Sequence, residues 1–322
     1  MADQFGHNAF LGLGREAAWG TAATITDWVR LFSHDFKNNT PMTVRNLLGT
    51  AEPVGAVAGP KSTAGGPAFE MLYQGCEVPL AYFFGAPTIS LDTPVVGANT
   101  WVFKPQLNIY AGKGLTCETS YGDWSILWAG HKFDSFGFSQ EAQSVLKATL
   151  GGAGKSWAVD VTPTTASYPT DRPCLETEFT FEINDIVSTN IRGWTCGPTN
   201  ALSADRAILG AAYVKEPGRG GYMGITGSWT SWYTDNAIRT VQNTNTPVKL
   251  EFIYTATYFV VGATPYQLVL DFPKAYILGD SPPVPGPGAV EETNNFIAVH
   301  GAAGYAMRLT IVNGRTALPA ES

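Results

Sequence analysis

The feature that most limits what this chain can become is a side-chain alternation of period two. In "VKLEFIYTATYFVV", residues 248–261, Val248, Leu250, Phe252, Tyr254, Ala256 and Tyr258 fall on one side. Only a strand, whose successive side chains point to opposite faces, gathers such a set. The other face starts with Lys249 and Glu251 and continues with Ile253 and Phe259, which predicts passage from a half-wet to a doubly covered environment. "YQLVLDF" repeats the pattern with Tyr266, Leu268, Leu270 and Phe272 across the short linker "VGATP", so the two runs are expected to form a hairpin. "ETEFTFEIND" sets Phe179, Phe181 and Ile183 against Glu178, Thr180 and Glu182.

Further candidate strands are "WVFKPQLNIYA", "GLTCETSY", "WSILWAGHKFDSFGFSQ" broken at Gly130, "SVLKATLGG", "GYMGITGSWTSWY" and "YAMRLTIVNG". Many short strands separated by turn signals predict a mainly β protein, a sandwich or barrel. One or two short helices are expected. The first is "PAFEMLYQGCEVPLAYFFG", where Phe69, Leu72 and Tyr73 are at helical spacing before Pro79 interrupts, and the second is "LSADRAILGAAYV" with Ser203 as its N-cap. Two long protruding loops complete the reading. Residues 38–67 hold four prolines and five glycines, and residues 279–293 read "GDSPPVPGPGAVEET". Similar aromatic alternation on either side of "VTPTTASYPTDRP" divides the chain into two β modules, 1–165 with the 38–67 loop and 166–322 with the Pro-rich loop.

Only 15 % of the 322 residues are charged, against roughly 25 % in an average soluble domain. A secreted lectin-like protein would show this, and so would a subunit whose surface is covered by neighbours, because interface cores are depleted in charge. The net charge of −7 argues against a basic nucleic-acid-binding face and suits a surface past which DNA moves without sticking. No apolar stretch reaches the 18 residues of a membrane span, and "MADQFGHNAF" has no basic region followed by an apolar run. Cys76, Cys117, Cys174 and Cys196 form no CxxC pair, so reduced, buried thiols are expected and zinc is not.

No chemistry converges on a site. Gly12 and Gly14 lack the third glycine of a dinucleotide loop, no G-x-S-x-G elbow occurs, and His7, His34, His131 and His300 lie far apart. Neither a cofactor nor a metal is expected. The serious enzymatic alternative is a β-sandwich glycoside hydrolase or carbohydrate-binding module, with Asp123, Asp134, Glu141, Glu178, Glu182 and Asp185 as carboxylates and nine tryptophans as a sugar platform. The polar outer faces of amphipathic strands place such carboxylates without any catalytic role.

"GLGREAAWGTAA", residues 12–23, resembles the N-terminal signature of the tail tube proteins of long-tailed bacteriophages through Gly14, Glu16, Trp19, Gly20 and Thr21, with Arg15 as a variation. "WAGHKFDSFGFSQEAQSVLKATLGGAG" is similar to the family's closing strands of a first sheet, and "YQLVLDFPKAYI" with the later "YAMRLTIVNG" is similar to its final strands, ending at Asn313. The resemblance implies a non-catalytic subunit that assembles with itself into stacked rings of three or six around a DNA-conducting lumen. Its implied partners are tape measure and tail terminator proteins and the passing phage DNA, without a membrane, in the virion tail assembled in the host cytoplasm. A decoration or baseplate subunit is the neighbouring alternative.

Within that frame Glu16 and Trp19 are expected at a subunit contact, although a Trp19 buried within its own chain is the simpler alternative. Arg45 and Lys61 are expected to carry the 38–67 loop to a neighbouring ring, and Glu178 and Glu182 to face the lumen.

Overall fold

Residues Val248–Val261 form one strand, and Val248, Leu250, Phe252, Tyr254 and Ala256 are buried on its inner side. Phe259, expected under cover, is exposed, because the strand runs past the core edge before it turns. The computed structural model describes residues 9–48, 51–91, 97–169, 172–204, 206–279, 286 and 288–322. His7, residues 170–171 of the boundary segment and residues 280–285 and 287 of the Pro-rich loop lie outside them.

The first half supplies β1 (Leu11–Arg15), β2 (Asp27–Val29), β3 (Leu31–His34), β4 (Lys37–Asn39), β5 (Met42–Arg45), β6 (Gly55–Ala58), β7 (Ser62–Gly65), β8 (Pro67–Glu70), helix α1 (Glu77–Phe84), β9 (Thr88–Leu91), β10 (Asn99–Phe103), β11 (Leu115–Ser120), β12 (Ser125–Glu141), β13 (Lys147–Gly154) and β14 (Ser156–Val161). The second supplies β15 (Phe179–Ile183), β16 (Ile186–Ser188), β17 (Ile191–Thr199), β18 (Leu202–Ser203), β19 (Gly218–Arg219), β20 (Gly224–Trp232), helix α2 (Ala237–Asn243), β21 (Val248–Val261), β22 (Thr264–Leu278), β23 (Glu291–Ala298) and β24 (Arg308–Asn313). The protein is mainly β, and every registered strand pair is antiparallel.

The same connectivity occurs twice. In the first half the ladder runs β2–β1–β11 onto the N-terminal part of β12, with β14 on that part too, while β3–β8–β13 pairs onto its C-terminal part. In the second half β16–β15–β21 joins β22, with β24 beside its N-terminal part, and β17–β20–β23 reaches its C-terminal part. In each half a long excursion separates the first two strands of the second ladder, and a short helix follows. Two ladders cross the 165/166 boundary: β12 pairs β17, and β10 pairs β24.

The two layers pack through aromatic side chains, as in Trp194 on Phe252 with centroids 4.5 Å apart and Phe181 on Trp229 at 5.3 Å. Burial of such large side chains from both layers is the main apolar driving force.

Several sequence expectations need correction. Residues 67–70 are strand β8, and the helix begins only at Glu77. Pro79 lies in its first turn, where a missing N–H removes no intrahelical bond. The segment from Leu202 contains β18 and irregular chain instead of a helix, and the second helix stands at Ala237–Asn243. Strand β12 is not broken at Gly130 but runs through it, with Gly130 at φ +79. Most of 38–67 is ordered as two successive hairpin ladders, β4 with β7 and β5 with β6, and the residues of β4, β5 and β6 are too exposed to leave a burial pattern.

Candidate assembly surfaces

The "GREAAWGT" turn folds inward. Burial sequesters the Glu16 side chain entirely, and its carboxylate accepts hydrogen bonds from Gly20 N–H at 2.7 Å, Gly130 N–H at 2.7 Å and Thr116 Oγ1 at 2.8 Å. Burial raises the Glu16 carboxyl above its usual pKa, against the pull of these donors and of Lys155. A residue with no exposed surface cannot touch a neighbour, so Glu16 belongs to the fold and not to a subunit contact. Trp19 is half-buried: its Nε1 donates to Gly130 O at 2.7 Å, and the Lys155 ammonium lies 5.2 Å from its ring centre.

A strap absent from the sequence reading closes this turn. Ala17 N–H bonds Ser322 O at 3.2 Å, Ser322 N–H bonds Arg15 O at 3.0 Å, and Arg15 pairs with Glu321 at 2.9 Å. A second tie joins the halves: the Arg315 guanidinium pairs with Glu77 at 2.9 Å and Asp27 at 2.6 Å, while Asn313 Nδ2 donates to Tyr73 O at 2.8 Å.

The clearest outward feature is the arm. Strands β5 and β6 pair only with each other among the described residues, and Met42, Val44, Leu48, Val54 and Val57 are all exposed. Arg45 stands exposed at the end of β5. Lys61 lies at the arm's base, where its N–H bonds Ala212 O at 2.9 Å and its carbonyl accepts from Val214 N–H at 3.1 Å, so the arm is anchored to the excursion between β17 and β20.

The two acids expected at the lumen fall in different surroundings. Glu178 is buried and accepts from Tyr73 OH at 3.0 Å and from Thr257 N–H at 3.2 Å, which leaves no carboxylate to face a lumen. Glu182 faces Glu251 across β15 and β21, near Asp185, and Lys249 reaches Asp185 at 2.6 Å and Glu251 at 2.7 Å. The acidic trio is thus partly neutralised by its own lysine.

A surface the sequence reading missed covers the outer side of the β12–β17–β20–β23 ladder. Facing away from the core, β12, β17, β20 and β23 carry Ser139, Thr195, Ser228 and Asn295 in one cross-strand row, and Thr195 and Ser228 hydroxyls are 2.9 Å apart. The signal was present as alternating Thr, Ser and Gly in "GWTCGPT" and "GITGSWTSW". Four cysteines are free and buried, and burial raises the thiol pKa of each.

No curated protein matches the chain. A family model described as phage tail tube protein matches residues 6–298, most of its length. On that match the chain belongs to the phage tail tube protein family and is a structural component of the phage tail.

Proposed function

We propose that copies of this chain, each carrying two tube modules, 1–165 and 166–322, close into rings that stack into a hollow tube through which phage DNA passes. The observation that carries this reading is the β5–β6 arm. An isolated two-stranded hairpin is at best marginally stable in water, and this one exposes apolar side chains on a stem that leaves the main sheet. Both facts call for a partner surface, and in a protein that makes a tube the repeating partner is another copy, in the next ring. In this reading Arg45, exposed at the end of β5, contacts that ring, and the half-buried Trp19 contributes only what its own chain leaves exposed.

The hydroxyl-rich face suits the lumen wall. Its centre, Thr195, Thr226, Ser228 and Thr230, offers hydroxyls without closely spaced cations that would bind phosphates, and its exposed apolar groups, Trp232, Ile297 and Leu278, stand toward its margins. Tape measure and tail terminator proteins would meet the tube inside and at its end, with assembly in the host cytoplasm.

Replacing residues 42–58 with a short Gly-Ser turn tests the reading. The expected result is a subunit with unchanged circular dichroism and melting behaviour that forms no tubes by electron microscopy under conditions where the intact chain does. Tubes of normal length from the shortened chain would refute the role of the arm.

A further inference from the structure

The repeated connectivity has one junction that occurs only once within the chain. The C-terminal part of β12 pairs with β17, the first strand of the next ladder, through Ser135–Thr199, Phe138–Cys196 and Ser139–Thr195. By the repeat, β22 corresponds to β12 and β3 corresponds to β17. Among the described residues β22 has no ladder partner beyond Ala275 on the side where it pairs with β21, and β3 pairs only with β8. These are the two ends of one eight-strand row, β3–β8–β13–β12–β17–β20–β23–β22. Each end exposes an apolar side chain, Phe32 on β3 and Leu278 on β22.

We infer that β22 of one copy pairs antiparallel with β3 of a second copy, repeating the β12–β17 junction between chains. The inference rests on the tube reading and names the edge that closes the ring. An open edge presents a row of unpaired N–H and C=O groups, a ready template for another strand, and the within-chain junction supplies its register.

One row fixes the contact. Ser33 faces Ala68, Ala68 faces Thr149, and Thr149 faces Gly137. Across the junction Gly197 faces Thr226, Thr226 faces Ile297, and Ile297 faces Tyr276. Gly137 lies opposite Gly197, midway between the registered pairs Ser135–Thr199 and Ser139–Thr195. Tyr276 of one copy therefore falls opposite Ser33 of the next. The join is head-to-tail, so it closes into a ring when the rotation permits.

The test is disulfide capture with Ser33→Cys and Tyr276→Cys. Directly opposed residues have Cβ atoms about 4.5–5.5 Å apart, close to what a disulfide spans. Within one chain these positions sit at opposite ends of the row, and the four native thiols are buried. Under mild oxidation the double variant is expected to give a ladder of covalent oligomers that ends at the ring size. The two single variants, mixed, should yield one covalent pair, while each alone yields none. Tubes that form by microscopy without cross-links overturn this edge and leave the tube reading standing. A double variant and a native chain that both stay monomeric at high concentration overturn both.

Discussion

Replacing Glu16 with alanine is expected to lower the subunit's unfolding free energy by about 3–5 kcal/mol, a large part of the 5–15 kcal/mol typical of a native fold. The change strips the acceptor from Gly20 N–H, Gly130 N–H and the Thr116 hydroxyl at once. Buried donors left without an acceptor cost about 1–3 kcal/mol each, and the three share one cavity, so the sum is less than additive. Removing the carboxylate also relieves its own burial, which is why the upper end is not exceeded. Glu16→Gln separates the two effects. Its carbonyl can still serve Gly130 and Thr116, while its amide opposes Gly20 N–H, so a loss of about 1–2 kcal/mol is expected.

The pKa shift adds a second signature. The folded pKa is raised, so the contribution of Glu16 is fully present below the ordinary glutamate value and falls as pH rises through the folded one. Urea unfolding of the three proteins at pH 5 and pH 8 reads both effects. A Glu16→Ala loss below about 1 kcal/mol would show that the turn is not held by this carboxylate.

What the sequence disclosed and what it withheld divide along burial. Strands β15, β21 and β22 were legible because one face of each is covered, so Phe181, Phe252 and Leu270 had to recur at every second position. The tail tube signature was legible too, yet it marked a structural plug where a contact was expected. Glu16 and Gly130 are 114 residues apart in sequence and meet at 2.7 Å, and no local pattern announces such a bond. The strap through Ser322 was invisible for the same reason.

Exposed elements left no pattern to read. In β5 and β6 every residue is exposed, so neither face is selected and the alternation carries no information. The helix after Ser203 failed in the opposite way. A capping residue and apolar spacing are weak local preferences, and here the chain between β18 and β19 is held by pairing and by the bond from Leu202 N–H to Asp134 at 2.6 Å. Of the two acids expected at a lumen, Glu178 is buried against Tyr73 and Thr257 by bonds that no local pattern announces, and the hydroxyl-rich face emerged only once four strands were aligned in register.

Mild acid is expected to weaken the subunit through His131, with an effect that rivals the loss of Glu16. The ring is fully buried beside Phe36 and Phe133, Nε2 meets Thr63 Oγ1 at 3.0 Å, and burial pushes the imidazole pKa down to about 3. In the unfolded chain the same ring takes up a proton near pH 6.5. The folded pKa is depressed, so the stability supplied by neutral His131 is present above pH 6.5 and is lost as pH falls toward the folded value. Two pH units below 6.5 that loss reaches about 2.7 kcal/mol. His34, also lowered by burial, acts in the same direction, whereas Glu16 acts in the opposite one. A His131→Gln variant isolates the term, since glutamine keeps a hydrogen-bonding group near Thr63 and does not titrate. Its own cost is expected to be largest at pH 7 and to shrink by about 2–3 kcal/mol by pH 4.5, where the wild type has lost the advantage of its neutral ring. A difference between the two proteins that stays constant across this range would mean that His131 is charged, or open to water, in the folded subunit.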